Sequence, residues 1–160
     1  MNKRGDAQRP KLRDTASLTP EAMMELLGEH DRLELGQDWV GAMRTVSADA
    51  VYEMYPQGLR IAGAAAVEAF YRRTIPAMQD LLHMVDAAPR TLSFGDGTLV
   101  VERQATLHAS EEPVRTRWIT VFEFDGDLIR AERTYLDAAF ARVLEERLPD
   151  LTDIPGVTNT

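Results

Sequence analysis

The sequence predicts an α+β fold: a cone-shaped, curved antiparallel sheet wrapped around three N-terminal helices. Three observations carry this. Apolar residues recur every three to four positions up to about residue 79 and every second position beyond it. The two patterns are segregated along the chain instead of alternating, which argues against a βαβ arrangement. Turn signals at Gly95-Asp96-Gly97 and Asp125-Gly126 separate the alternating segments, as hairpins require.

The helical half starts at Thr19, a capping residue followed by Pro20 at the first helical position. Met23, Leu26, Leu27, His30 and Leu33 then follow at helical spacing, and Gly36 is a natural stop. Asp38 caps a second stripe of Trp39, Ala42, Met43 and Val46, so 19–47 reads as a helical hairpin or bent helix. Short extended pieces at 51–55 and 59–61 flank Pro56-Gln57-Gly58. A third helix spans about 63–79, with Ala66, Val67, Phe70, Tyr71, Thr74, Ile75 and Met78 on one face and Pro76 near its end.

The strand half begins with 81–88, where alternation is modest. Residues 98–109 form a long strand, and Glu111-Glu112-Pro113 turns the chain. Residues 114–124 alternate strongly, with Trp118, Thr120, Phe122 and Phe124 on one face. The last strand spans 128–136, and a short helix follows at 138–147. The polar stretch 1–17 reads as a flexible arm, 18–148 as a single domain, and 149–160 as a loosely held tail.

Composition fits one soluble globular domain. The chain has 160 residues, 44% hydrophobic and 28% charged, a size at which folding buries about 70% of the unfolded surface. Its net charge of −8 opposes phosphate backbones, so no nucleic-acid partner is expected. No apolar run approaches the ~20 residues of a membrane span, and no apolar stretch follows Met1-Asn2-Lys3-Arg4, so neither membrane nor secretion is expected. The absence of cysteine excludes disulfides, thiolate nucleophiles and cysteine-bound metal, and fits a cytoplasmic location. Three histidines, His30, His83 and His108, share no ligand spacing. No metal and no cofactor are expected, and chemistry falls to carboxylates, tyrosines, arginines or one histidine.

Several segments then point to a family. Asp38-Trp39, the run 48–53 (Ala-Asp-Ala-Val-Tyr-Glu), Pro56 and the run 63–72 (Gly-Ala-Ala-Ala-Val-Glu-Ala-Phe-Tyr-Arg) resemble the first half of a SnoaL-like domain. The run 122–129 (Phe-Glu-Phe-Asp-Gly-Asp-Leu-Ile), followed by Glu132-Arg133-Thr134-Tyr135-Leu136-Asp137, resembles its last hairpin. The resemblance covers about residues 20–140. It implies the nuclear-transport-factor-two-like superfamily and its cystatin-like α+β barrel. That superfamily includes ketosteroid isomerase, limonene epoxide hydrolase, scytalone dehydratase, polyketide cyclases and non-enzymatic binders.

The register of the resemblance, combined with strand alternation, sets the inward faces. Tyr52 and Met54 point in from the first strand, and Val101, Arg103, Ala105 and Leu107 from 98–109. Trp118, Thr120 and Phe122 point in from 114–124, and Glu132, Thr134 and Leu136 from the last strand. With Trp39 and Tyr71 they outline an apolar, aromatic pocket. Of the 26 acidic residues, only Glu132 falls inside. The resemblance to ketosteroid isomerase requires carboxylates where this chain has Met54 and Thr120. The limonene epoxide hydrolase pattern matches at Arg103 but meets Ala105 and Thr134 where it has aspartates.

The catalytic candidates are therefore Glu132, with Arg103 as its orienting partner, Tyr52 as a hydrogen-bond donor, and His83 near the cone. Trp39, Met54, Tyr71, Trp118, Thr120 and Thr134 are the substrate-binding candidates. Against catalysis stands a structural Glu132–Arg103 ion pair across neighbouring strands. The functional expectation is a binder of a small organic ligand, acting on it as an isomerase, dehydratase, cyclase or hydrolase by acid–base chemistry. The alternative is a non-enzymatic ligand-binding or scaffold protein. Ile119 and Val121, set among charges on the outer sheet face, point to a homodimer through that face.

Overall fold

The computed structural model of the chain describes residues 18–82, 89–107 and 113–159. The α+β class is observed. Helix α1 (Pro20–Leu35) leads into a short helix α2 (Trp39–Ala42) and a 3-10 turn at Met43–Thr45. Strands β1 (Val46–Tyr55) and β2 (Leu59–Ala62) follow, then helices α3 (Ala64–Ala77) and α4 (Gln79–Leu82). Four strands, β3 (Pro89–Gly95), β4 (Thr98–Leu107), β5 (Val114–Asp125) and β6 (Leu128–Leu136), precede helix α5 (Ala138–Glu145) and the short strand β7 (Val157–Asn159).

The seven strands form one sheet in the order β3-β4-β5-β6-β1-β2-β7. The sheet is curved but open, with β3 and β7 as its edges, so it is not a closed barrel. All pairings are antiparallel except β1 with β6, which makes the sheet mixed. The predicted hairpin turns stand: Thr98 pairs with Gly95, and Asp125 with Leu128.

Caps fix the helix ends. The Thr19 hydroxyl accepts from the Ala22 amide at 3.3 Å, and Gly36 ends α1. The Asp38 carboxylate accepts from the Gly41 amide at 2.9 Å. α3 buries Val67, Phe70, Tyr71 and Ile75 against the sheet, together with Met23 and Leu27 of α1 and Ile61, Leu99, Val101 and Phe122 of the strands.

Three expectations are corrected. Val46, read as the end of a helical stripe, instead begins β1 and pairs with Ile129. Its spacing from Trp39 is helical, but pairing with β6 outweighs so short a stripe. Leu81 and Leu82, read as strand, end helix α4, and residues 83–88 lie outside the described residues. The strand there is β3, which starts at Pro89. The segment from Pro149, expected to be loosely held, buries Leu151 and Ile154 and pairs β7 with β2. Gly156 makes that docking possible. Its φ is +92°, and a Cβ there would lie 2.6 Å from the Ala62 carbonyl oxygen.

Candidate functional site

A cavity of about 430 Å3 lies between the concave face of the sheet and helices α1, α3 and α5. Strand alternation delivers the predicted side chains to it: Tyr52 and Met54 from β1, Arg103 from β4, Trp118 and Thr120 from β5, and Glu132 and Thr134 from β6. Tyr71 comes from α3, and Phe140 and Leu144 of α5 close one end. Trp118 meets Phe140 edge to face, with ring centroids 5.2 Å apart.

Trp39 is not a cavity residue. It packs half-buried against the core from α2, with the Arg72 guanidinium 6.0 Å from its ring. His83 and His108 lie outside the described residues. His30, which falls on the apolar stripe of α1, is 1% exposed.

Glu132 is not the only carboxylate inside. Asp31 and Glu34 of α1 also line the cavity. Met24, Leu27, Gly28, Asp31, Glu34 and Leu35 all face it, spaced by three and four, so they form one stripe of the helix. That spacing is legible in the sequence. The charge on two of its members assigned them to solvent.

The pairing inside the cavity also differs from expectation. Arg103 and Glu132 sit on β4 and β6, with β5 between them, so they are not on neighbouring strands. Arg103 donates from Nη2 to Asp31 Oδ2 at 3.0 Å. Glu132 instead accepts from the Thr134 hydroxyl at 3.1 Å, and Thr120 Oγ1 lies 3.3 Å from Thr134 Oγ1. Because Thr134 gives its proton to Glu132, Thr120 is the donor to Thr134. Burial is the main influence on Glu132 and raises its pKa to about 7. Thr134 and Arg103 oppose that rise, and the Asp31 charge reinforces it. Burial likewise raises Asp31, against the pull of Arg103, and lifts Glu34 well above the ordinary carboxylate range, aided by the charges of Glu132 and Asp31.

A second polar set lies behind Glu34. Thr45 donates to the Ala42 carbonyl at 2.7 Å, so its oxygen accepts from His30 Nδ1 at 2.6 Å. His30 Nε2 then accepts from the Tyr71 hydroxyl at 2.9 Å and stands 3.5 Å from Glu34 Oε2. Burial lowers the His30 pKa to about 4, which keeps the ring neutral in this tautomer. Tyr52 is register partner to Glu132 and packs edge to face on Tyr71. Its hydroxyl is buried and has no hydrogen-bond partner of normal geometry among the described residues. Burial raises both tyrosines well above 10, helped by the Glu132 charge at Tyr52 and the Glu34 charge at Tyr71, so both phenols keep their protons.

Among the described residues, no group of three or more histidine, aspartate or glutamate side chains is placed to hold a metal ion. No described helix is long and apolar enough to cross a membrane.

The fold has many solved counterparts. An NTF2-like protein from Burkholderia xenovorans LB400 superposes with a TM-score of 0.62 at 12% identity, over 82% of this chain and 98% of its own. A protein from Shewanella putrefaciens CN-32 described as a SnoaL-like polyketide cyclase gives 0.61 at 11% identity, over 81% and 86%. An LEH-like epoxide hydrolase of M. tuberculosis gives 0.53 at 18% identity, over 79% and 92%. At such identities the likeness is one of fold. No curated protein matches the sequence. The sequence does match the SnoaL-like domain over residues 21–132, a span that holds α3, nearly all of α1 and most of the cavity's strands, and the chain belongs to the SnoaL-like domain family.

Proposed function

We propose that the protein binds a small, mostly apolar organic molecule in its cavity and performs an acid–base step on it, with Glu132 as the proton-transfer group. The observation that carries this reading is the setting of Glu132. It lies in an apolar cavity, held by one threonine and not by the arginine, with its pKa at about 7. A group at that value exchanges protons readily near neutral pH. Tyr52, whose hydroxyl makes no hydrogen bond of normal geometry to a described residue and whose Cα is the register partner of Glu132, donates a hydrogen bond to the substrate oxygen. Arg103, neutralised by Asp31, tempers the field at Glu132. Isomerisation, dehydration, cyclisation and epoxide hydrolysis all use such a proton transfer. The cavity volume supports the reading too, because about 430 Å3 accommodates a small ligand and a plugged cone would not.

The test is a thermal-shift screen of small ketones, epoxides and aromatic acids, followed by turnover of the molecules that bind. Glu132→Gln should lower turnover by about 100-fold or more and remove a rate inflection near pH 7. A variant that converts the same molecule at the wild-type rate overturns the assignment. Binding across the screen with no turnover favours the ligand-binding alternative.

We further propose that two copies pair through the outer sheet face. Ile119 and Tyr135 are register partners there, 43% and 44% exposed, and Tyr135 stacks on Tyr55. Ion pairs of Glu123 with Arg130 and Arg133 lie beside this apolar centre. Sedimentation should give twice the 17.9 kDa chain mass, and Ile119→Asp should return the monomer. A wild-type monomer at high concentration rejects the pairing.

A further inference from the structure

The cavity holds more acid than its own cation can balance. Arg103 is the one guanidinium lining it among the described residues, and its hydrogen bond goes to Asp31. Glu132 has only a neutral hydroxyl as its hydrogen-bond donor. Glu34 faces His30, a neutral ring that is no counter-ion. Two carboxyl groups thus share an apolar cavity without a charge partner, close enough that each influences the ionisation around it.

Two independent features point to what is missing. Tyr52, 3% exposed, lines the same cavity with a hydroxyl that makes no hydrogen bond of normal geometry to a described residue, its nearest polar neighbour being the Tyr71 hydroxyl. A buried polar atom without a partner calls for one from a ligand. The walls carry Phe70, Tyr71, Trp118 and Phe122, whose ring faces attract positive charge.

We propose that the cavity takes an apolar organic amine in its protonated form, with the ammonium held by Glu34, Glu132 and the Tyr52 oxygen and the apolar body against the aromatic walls. A primary ammonium has three N–H donors and no acceptor, and these three side chains offer it three acceptors. A neutral carbonyl or alcohol would leave both carboxyl groups to remain protonated or stand as unpaired buried charges, which a cation relieves. The proposal rests on the same cavity as the acid–base reading and names its substrate class.

The experiment uses the full chain and matched probes: tryptamine and phenethylamine, their alcohol counterparts tryptophol and 2-phenylethanol, and indole-3-acetate. Titration calorimetry at pH 6 and pH 8 reads the affinities. The amines should bind at least tenfold more tightly than the alcohols at pH 8. Their affinity should rise about tenfold from pH 6 to pH 8 as Glu132 ionises. The groups around Glu132 that set this titration are Asp31 and Glu34 from α1, Tyr52 from β1, Tyr71 from α3 and Arg103 from β4. Glu132→Gln and Glu34→Gln should each reduce the amine preference over the matched alcohol about tenfold. The proposal is overturned if no amine binds, if the alcohols or indole-3-acetate bind as tightly at pH 8, or if the preference survives in both variants. Loss of neutral-substrate turnover in Glu132→Gln without any amine preference defeats this proposal and leaves the acid–base reading standing. An amine preference with turnover intact in that variant does the reverse.

Discussion

Tyr71 shows how one side chain joins the core to the cavity. Its ring packs among Tyr52, Phe70 and His30. Its hydroxyl is the donor that satisfies His30 Nε2, while Thr45 fixes the other ring nitrogen. Tyr71→Phe removes that donor and leaves a buried imidazole nitrogen unpaired, at a cost of about 1–3 kcal/mol. Urea unfolding at pH 7 should show this as a lower midpoint with an unchanged slope. An unchanged midpoint would mean that His30 has another partner. At this scale the sequence was legible wherever alternation, given its phase by the register of the family resemblance, fixed the direction of a side chain. Tyr52, Arg103, Thr120, Glu132 and Thr134 all reach the cavity as alternation requires. Asp31 and Glu34 escaped because a two-letter pattern of apolar and polar residues sends charges to solvent, whereas these two line the cavity.

The elements meet most tightly at Asp137, which belongs to no strand or helix. One carboxylate oxygen accepts from the Phe140 amide at 2.8 Å, capping α5, and from the Thr116 hydroxyl at 2.7 Å. The other accepts from the Arg117 amide at 2.7 Å. A single side chain therefore fastens the start of α5, which closes the cavity with Phe140 and Leu144, to strand β5. These bonds hold the Asp137 carboxyl below its ordinary pKa, despite its partial burial. Asp137→Ala should destabilise the protein by about 2–4 kcal/mol, the loss of a cap plus bonds to a charged acceptor. Asp137→Asn, which keeps one acceptor oxygen, should lose less. Equal losses from both variants, read by denaturant midpoint, would show that the bonds to the oxygen that asparagine keeps contribute nothing. The elements themselves were legible where period and turn chemistry agreed, as in the hairpin of β5 and β6 around Asp125-Gly126. They were misread where a few residues fit two periods. Val46 completed a helical stripe yet pairs with Ile129, and β3 displays Leu92 and Phe94 in alternation behind Pro89. The tail was misread for another reason. Its apolar anchors, Leu151 and Ile154, are isolated in a polar stretch and gain meaning only against the α3–β2 surface that receives them.

For the whole molecule, buried ionisable groups make stability depend on pH in two opposing ways. A carboxyl raised from 4.5 to about 7, as Glu132 is, holds its proton up to about 3 kcal/mol more tightly in the folded chain. That stability is fully present below pH 4.5 and is lost as pH rises towards 7. His30, lowered from 6.5 to about 4, works the other way, since its stability is present above pH 6.5 and is lost as pH falls towards 4. Between about pH 4.5 and 6.5 the two slopes largely cancel. Above pH 6.5 Glu132 continues to titrate, and burial raises Glu34 in the same sense. The wild-type melting temperature should therefore fall between pH 6 and pH 8. Glu132→Gln cannot ionise, so it should be more stable than wild type at pH 8 by up to about 3 kcal/mol, with little difference at pH 4.5. For a chain of this length that is several degrees in melting temperature. Such a gain on removing a proposed catalytic group is the pattern of a site whose chemistry requires a buried charge that the fold alone disfavours. An equal advantage at both pH values would assign the effect to packing instead, and a variant less stable than wild type at pH 8 would show that Glu132 is already paired in the folded chain.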